Sequence, residues 1–510
     1  MIFYKIIKKH RLFVLFLAML LIFINFSATF IDPMAMKFLI DKGILGKNLR
    51  FFIFLGIFVI FFGGVLRLIN YFSSLLIQRL KNIILKELTM ETLKYYFNFP
   101  YKIVLSKNSG YFASRIYDES NNLCSLAIDT ASDLLSSLII AITSLALILY
   151  FSWKMTCIFV VIIPVIYMLA RKFGTKVSSF SEQEKEKEAN LREKIITLVS
   201  SYRTVKLFNL YDISFKKVHN ALDRFLNALY SKIKFTKLYG TLNDLFMSLM
   251  EFFVLIGLGI GVILGFLTIG GLFGYMQAFW RGVSGITSLI ENFPRLMSLK
   301  GYLNRLKEFE SFQEKEKSWE GKEIVLDKIN YSFPERSVIK NFSLSIKGGE
   351  KILITGPNGS GKTTLLNIMC GFLEPEGHYK LTDLKNISAM IMPMEFIPGS
   401  LKDNVDFNVL SENNKRKFLT LIEKFGLDNK LEKTPFELSE GEKKKFCIIR
   451  TLLKQAEVYF FDEPLSNIDE GSKEDVMNVI LSETKGKSLV VVMHGGEKFH
   501  ACFDEIIRLR

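Results

Sequence analysis

The sequence predicts an α + α/β fold in two parts: a six-helix transmembrane domain followed by an α/β domain with a phosphate-binding loop. Of the 510 residues, 49% are apolar, and the mean hydropathy is +0.25, which exceeds the average for soluble domains. From about Glu323 onward, short β-like runs alternate with helical patterns, as in an α/β domain. We expect the transmembrane domain at 1–310, a charged linker at 311–322 and the nucleotide-binding domain at 323–510.

Six nearly uncharged runs are long enough to cross a membrane, since a hydrocarbon core of ~30 Å takes about 20 helical residues. Basic residues before the first run place the N-terminus inside. The polar stretches 81–133 and 174–240 are then cytoplasmic excursions. The sixth run is weaker in hydropathy, but it is needed to keep the α/β domain in the cytoplasm. The six runs are 12–31, 51–77, 134–151, 155–170, 245–267 and 270–290.

The net charge of +15 comes from lysines that flank the apolar runs. This distribution fits cytoplasmic loops beside an anionic lipid bilayer and excludes nucleic acid as the expected partner. We expect an integral protein of a bacterial inner membrane.

Residues 355–364 (TGPNGSGKTT) join an apolar run to a helical pattern. Strand, glycine-rich loop and helix, in that order, predict a loop whose backbone N–H groups surround nucleotide phosphates. Lys362 would bind the β- and γ-phosphates, and the Thr363 hydroxyl would ligate Mg²⁺. The predicted ATP ligands of the loop are Gly356, Pro357, Asn358, Gly359, Ser360, Gly361, Lys362, Thr363 and Thr364.

Two later apolar runs end in side chains suited to ATP chemistry. The run 458–462 ends at Asp462, a second expected Mg²⁺ ligand, and is followed by Glu463, the expected base for the attacking water. The run 489–493 leads to His494, which would contact the γ-phosphate. Glu463 and His494 are therefore the predicted catalytic residues, with ATP and Mg²⁺ as cofactors.

Together these motifs resemble the ATP-binding cassette (ABC) exporters, in the form of a half-transporter. The Walker A loop, the Walker B strand, the glutamate and the switch histidine all match. By this resemblance Tyr331 stacks on adenine, 25 residues before Gly356 (356 − 331). Residues 109–118 (SGYFASRIYD) and 202–208 (YRTVKLF) are similar to the cytoplasmic loops of such membrane domains.

The resemblance implies export of a substrate by alternating access, driven by ATP binding and hydrolysis. It also implies a second half-transporter chain, in a homodimer or a heterodimer. Each ATP would lie between one chain's Walker A loop and the partner chain's signature sequence, in which Ser439 and Gly441 are the expected phosphate ligands.

The chain departs from the family in three places. The signature LSGGQ is LSEGE at 438–442, so that Glu440 and Glu442 are added. No glutamine occurs between 371 and 454, and Met392 or Met394 takes the place of the Q-loop glutamine. The interval from Lys362 to the signature is 76 residues (438 − 362), shorter than the family's.

These departures leave alternatives open. The added carboxylates would either repel the γ-phosphate and weaken closure, or point away from it. The alternative function is accordingly a catalytically weakened, ATP-binding subunit of a heterodimeric exporter. An alternative of another class is a soluble ABC-type ATPase.

Charged residues within the spans are candidates for a substrate cavity, because an ionisable group in a membrane is costly without a function or a partner. These candidates are Arg67, Glu251 and Arg281, and the other interpretation is pairing between helices. Mixed charge in the cavity favours a peptide or an amphipathic small molecule as the substrate.

Overall fold

The chain forms two compact units in a computed structural model. One unit comprises Met1–Leu93 and Ser114–Glu308, and the other comprises Lys94–Ala113 and Phe309–Arg510. The predicted linker lies outside the described residues from 313 onward. The structure describes 2–107, 109–160, 162–312, 323–333, 336–494 and 497–509, with the backbone alone at 157–160, 162–178, 182 and 243.

The first half of the chain is helical, and six of its helices are between 28 and 53 residues long in the part described. Their number fits the six predicted spans. The helices are α1 (Ile2–Lys9), α2 (Arg11–Phe38), α3 (Leu49–Tyr96), α4 (Tyr101–Ser106), α5 (Ser109–Ala113), α6 (Glu119–Val160), α7 (Ile162–Ser200), α8 (Tyr202–Leu207), α9 (Tyr211–Ile263) and α10 (Ile269–Ser311), with π-helical segments at Leu39–Ile44 and Ser114–Asp118.

Four regions of the described residues are long and apolar enough to cross a membrane: Arg11–Ile44, Leu49–Tyr96, Ser109–Thr156 and Tyr211–Ile263. They contain the first three predicted spans and most of the fifth. From 157 onward the fourth span lies where side chains are not described. The sixth span lies in α10, which does not reach the same hydropathy.

Helix α6 is kinked between the apolar runs 134–151 and 155–170. Ser152 leaves helical geometry, with φ −165° and ψ 103°. The Thr156 hydroxyl donates to the carbonyl oxygens of Ser152 (2.8 Å) and Ile148 (3.1 Å). The Thr156 hydroxyl therefore bonds carbonyl groups at the kink that backbone N–H groups would bond in an unbroken helix.

Small residues let α10 pack closely on α6, which explains the glycines of the sixth span. A Cβ at Gly285 would lie 3.0 Å from the Ala141 nitrogen and the Ser137 oxygen. The Ser137 hydroxyl also donates to the Ser288 hydroxyl at 2.8 Å. Close backbone approach and hydroxyl pairs are the usual basis of helix packing in lipid.

The second unit contains two sheets and the helices that cover them. It includes α4 and α5, and from Phe309 onward its further helices are α11 (Lys362–Met369), α12 (Glu412–Lys424), α13 (Glu440–Leu453) and α14 (Lys473–Glu483). Short 3₁₀ turns occur at Leu384–Asn386, Asp403–Val405, Asp428–Lys430, Pro435–Glu437, Glu470–Ser472 and Glu497–Cys502. The strands are β1 (Ile324–Phe333), β2 (Arg336–Ile346), β3 (Lys351–Thr355), β4 (Glu376–Lys380), β5 (Ile387–Met390), β6 (Val458–Asp462), β7 (Ser488–Val492) and β8 (Glu505–Arg508).

The larger sheet is parallel, with strand order β5-β6-β7-β3-β8, and the smaller is antiparallel, with order β2-β1-β4. Every residue of β6 and β7 is buried, as expected for the centre of a parallel sheet covered on both faces. Hydrophobic clusters flank the sheet, one including α12 and α13 and the other including α11 and β1. The rigid centre of the sheet carries the site described next.

Candidate functional site

The site forms where three adjacent parallel strands end. Because β6, β7 and β3 are neighbours in the sheet, their carboxyl ends meet at one edge, where ligands bind in open α/β sheets. β3 leads into the glycine-rich loop, β6 ends at Asp462, and β7 leads to His494. The fold thus brings together three motifs that are spread along the sequence from 356 to 494.

The loop has the backbone that its glycines predict. Gly359 and Gly361 have φ of +80° and +94°, in the left-handed region that favours glycine. A Cβ at Gly361 would also lie 2.8 Å from Val338 Cγ1. Lys362 Nζ donates to the carbonyl oxygens of Gly356 (3.0 Å) and Pro357 (2.9 Å), so its ammonium lies against the loop that is expected to hold the phosphates.

The remaining predicted loop residues differ in exposure. Pro357 and Asn358 are exposed, whereas Ser360 and Thr364 are half-buried. The Ser360 hydroxyl has no hydrogen-bond partner among the described residues. Its oxygen atom is also buried from solvent.

Thr363 and Asp462 form the expected pair of magnesium ligands. The Thr363 hydroxyl donates to Asp462 Oδ2 at 2.8 Å, and Asp462 is 2% exposed. Burial raises the pKa of Asp462, whereas the Thr363 hydroxyl and the backbone N–H of Met392 oppose this change by donating to the carboxylate. A hydroxyl and a carboxylate oxygen are the hard ligands that Mg²⁺ prefers, so these residues fit the ion.

Glu463 and His494 lie at the ends of the two central strands. The Glu463 N–H donates to the Val492 carbonyl oxygen at 2.8 Å, and Glu463 has a left-handed φ of +50°. His494 Nε2 is hydrogen-bonded to Asn358 Oδ1 and lies 3.4 Å from Lys362 Nζ. The structure therefore places His494 at the predicted phosphate loop.

The altered signature begins α13, and its added carboxylates have partners. Ser439 is the N-cap, its hydroxyl accepts the Glu442 N–H at 3.3 Å, and Glu442 Oε2 accepts the Ser439 N–H at 2.9 Å. This is a capping box, a motif that accepts Glu or Gln at this position. Lys430 pairs with Glu442, and this ion pair, with the Ser439 N–H, lowers the Glu442 pKa to about 2. Glu440 pairs with Lys443 at 2.7 Å.

Two aromatic residues near the loop differ in exposure. Tyr331, the predicted adenine ligand, is 7% exposed, and burial raises its pKa. Phe333 is 39% exposed. It pairs in the sheet with Arg336, whose guanidinium donates to the Gly359 carbonyl oxygen at 3.2 Å. Phe333 therefore lies close to the loop and presents more ring surface than Tyr331.

Three contributors to the site were not found from the sequence. They are the Met392 N–H on Asp462, the Arg336 guanidinium on Gly359, and Lys444, a fully buried lysine of α13. The backbone donor leaves no trace in a sequence pattern. The sequence does contain an indication of Lys444, because it follows the signature within a helix whose other buried positions are mostly apolar.

The three candidate residues of the membrane spans have different surroundings. Arg281 pairs with Asp32 and donates to the Ala28 carbonyl oxygen, which joins α10 to α2. Glu251 lines a cavity of about 630 Å³, and Arg281 lines a second cavity of about 470 Å³. Arg67 is exposed and lines neither of them.

The fold and the site together define an ATP-hydrolysing membrane transporter. The chain belongs to the ABC transporter family: the family model for the ABC transporter transmembrane region matches residues 12–283, and the ABC transporter model matches 339–466. The predicted fold class and the predicted ATPase activity are therefore confirmed. The alternative of a soluble ABC-type ATPase is excluded, because the match to the transmembrane region covers more than half of the chain.

Known relatives align with most of the chain. An ATP-dependent lipid A-core flippase of Bordetella avium is 23% identical, over 90% of this chain and 83% of the relative. The ATP-dependent permease MDL1 of Candida albicans is 25% identical, over 76% of this chain and 62% of the relative. The structure of a bacterial Atm1-family ABC exporter with ATP bound matches with a TM-score of 0.79 at 16% identity, covering 98% and 94% of the two chains.

Proposed function

We propose that this half-transporter exports an amphipathic cation, such as a cationic peptide, as a dimer that works by alternating access. ATP would close the two nucleotide-binding domains, and hydrolysis would reset them. ATP shifts this equilibrium only by binding the closed state more tightly than the open one. We place the chain in a bacterial inner membrane, with the N-terminus and the nucleotide-binding domain in the cytoplasm.

The juxtaposition of the loop with Asp462, Glu463 and His494 carries the proposal for hydrolysis. Lys362 and the loop N–H groups would bind the phosphates, and Thr363 and Asp462 would hold Mg²⁺, which neutralises phosphate charge when bound. Glu463 would orient and deprotonate the attacking water, and His494 would contact the γ-phosphate. Ser439 and Gly441 would complete the ATP site of the partner chain.

The lining of the larger membrane cavity supports a cationic substrate. Asp244, Glu251 and Glu291 line it, and its lining contains no lysine or arginine among the residues that the structure describes. Trp280 and Ser284 line both cavities, and the second adds the apolar side chains of Met36, Phe273 and Met276. Because Arg281 is paired with Asp32, the joint lining offers carboxylates at one end, an indole for a cation–π contact and an apolar surface at the other.

The activity is tested by measuring the hydrolysis of Mg-ATP by the chain, purified alone and placed in lipid vesicles. The Glu463→Gln variant is the inactive control. We expect turnover that the substitution lowers by at least about a hundredfold. Tight ATP binding without turnover would instead support the weakened subunit of a heterodimer. The presence of Glu463 and the ion pair between Glu442 and Lys430 favour a homodimer that hydrolyses ATP without another kind of chain.

The substrate class is tested by stimulation of ATPase activity with a lysine-rich amphipathic peptide and with its glutamine-substituted analogue. We expect Glu251→Gln to raise the half-saturating concentration of the cationic peptide by about tenfold, the effect of one lost charge pair away from bulk water. Asp223→Asn is the matched control, because Asp223 lies on the same helix and pairs with His219 at 3.4 Å. Equal stimulation by the two peptides would contradict the cationic class.

A further inference from the structure

A fully buried lysine connects the signature helix to the turn that carries Glu463. Lys444 lies in α13 and is 0% exposed. Its ammonium donates to the Glu463 carbonyl oxygen at 3.0 Å and to the Ser466 hydroxyl. The Ser466 hydroxyl in turn donates to the same carbonyl oxygen at 3.1 Å. Two side chains therefore hold the peptide group of Glu463, and Lys444 supplies the charged donor.

A buried lysine at this position lowers the stability of the fold, and packing alone does not explain its presence. An ammonium taken out of water loses several kcal/mol of hydration unless partners replace it. Burial lowers the pKa of Lys444, and the nearby carboxylates of Glu463 and Asp462 oppose that change. An apolar side chain of similar length would fill the same space without this cost, so the charge indicates a role other than packing.

The turn that Lys444 contacts has a backbone that needs support. Glu463 and Asn467 have φ of +50° and +61°, a left-handed conformation that costs of order 1–3 kcal/mol in a non-glycine residue and persists where its surroundings enforce it. The first turn of α13 packs closely against the same segment, since a Cβ at Gly441 would lie 2.9 Å from the Asn467 carbonyl oxygen. Lys445, next to Lys444, lies 3.7 Å from Asp469.

We propose that Lys444 is a positioning residue, which fixes the Glu463 peptide group so that the catalytic carboxylate and the signature helix of the same chain move together. It acts through Glu463 and does not touch the nucleotide. The inference rests on the proposed function, in which Ser439 of a chain contacts one ATP while its Glu463 serves the other. Lys444 then transmits closure at one ATP site to the water-activating residue at the other.

The first test is Lys444→Met in the full chain in lipid vesicles. We expect kcat to fall by at least about tenfold, since displacing a catalytic group by an ångström can cost about a hundredfold. We expect KM for ATP to change by less than about twofold, because ground-state binding is untouched. The unfolding temperature should stay level or rise, because methionine replaces a buried charge.

Two further variants separate positioning from structure. Lys454→Met removes a lysine at the opposite end of α13, where it donates to the Leu384 carbonyl oxygen at 2.8 Å, and should leave kcat unchanged. Ser466→Ala should lower kcat in the wild-type chain and add nothing in the Lys444→Met chain, because the two side chains hold one carbonyl group. A folded Lys444→Met chain with kcat within about twofold of wild type overturns the positioning role.

The coupling is measured without turnover, so its failure is distinct from failure of the proposed function. ATP binding is followed with a fluorescent nucleotide in Glu463→Gln chains, with and without Lys444→Met. We expect the Hill coefficient to exceed 1 in the first and to fall to about 1 in the second, because loss of the link removes the coupling free energy between sites. Equal Hill coefficients in the two chains overturn the coupling, whereas an inactive wild-type chain counts against the proposed ATPase alone.

Discussion

Replacing Glu442 by glutamine should change the ATP affinity of the dimer by less than about threefold, or about 0.7 kcal/mol. A bare carboxylate at about 4 Å from a phosphate charge would repel it by about 4 kcal/mol at an effective dielectric constant of 20, or about a thousandfold in affinity. In the structure Lys430 pairs with Glu442, and Ser439 donates its N–H to the same carboxylate. The ammonium cancels most of the charge that the added glutamate introduces.

Substitution of Lys430 therefore tests whether its ammonium offsets the repulsion between the Glu442 carboxylate and the phosphate. We expect Lys430→Met to raise the ATP concentration for half-maximal ATPase activity by at least about tenfold when Glu442 is present, with the roughly thousandfold effect of a bare carboxylate as the upper limit, and by less than about twofold in the Glu442→Gln chain. The assay is Mg-ATPase activity of all four chains in vesicles at fixed ionic strength. An affinity gain above about thirtyfold in Glu442→Gln alone would refute neutralisation. So would the absence of any Lys430→Met effect in both backgrounds.

Stability separates the cap from the charge at the same position. Glu442→Ala removes the capping box and should lower the unfolding free energy by about 1–2 kcal/mol, or about 2–4 °C in unfolding temperature per kcal/mol, whereas Glu442→Gln keeps the cap. Because folding lowers the Glu442 pKa from 4.5 to about 2, this contribution is present above pH 4.5 and is lost as the pH falls towards 2. Unfolding curves that are identical for both variants would contradict this account.

Two further predictions concern adenine binding and helix pairing. We infer that the more exposed ring of Phe333 contacts adenine, so Phe333→Ala should raise KM for ATP by about tenfold, since stacking of a base on an aromatic ring is worth about 1–3 kcal/mol. Tyr331→Leu, which removes the other ring, should change KM by less than about threefold, and the reverse result would assign the adenine contact to Tyr331. Asp32→Ala leaves Arg281 without its carboxylate partner and should lower the yield of folded protein, measured by size-exclusion chromatography in detergent. The double variant Asp32→Arg with Arg281→Asp exchanges the two charges and should recover part of that yield.

The sequence allows the order of elements and the strand-end residues to be predicted, because both depend on local patterns. The strand–loop–helix motif fixes Lys362 and Thr363, and a buried run that ends in two carboxylates fixes Asp462. Contacts between distant elements leave no such pattern. Neither the Lys430 partner of Glu442 nor the Lys444 contact with Glu463 can be inferred from spacing, because each joins elements whose arrangement follows from packing of the whole unit.

Helix boundaries in the membrane half show the same limit. Hydropathy locates the apolar part of α3 or α9, but the helices continue as polar segments well beyond any bilayer, to Tyr96 and from Tyr211. Since a helix of mixed charge is stable where it packs or is long enough to propagate, composition alone does not mark its end. The break at Ser152 was predictable because a short polar turn interrupts the apolar pattern there.

At two of the departures from the family sequence, particular hydrogen bonds of the site are present in the structure. Glu442 occupies a position where the capping box accepts either Glu or Gln, and Lys430 offsets the added charge. Met392 contributes a backbone N–H to Asp462, a donor that no side-chain substitution removes. Because Thr363 still donates to Asp462 and Glu442 has its own partners, the altered motifs do not by themselves argue for a lost active site.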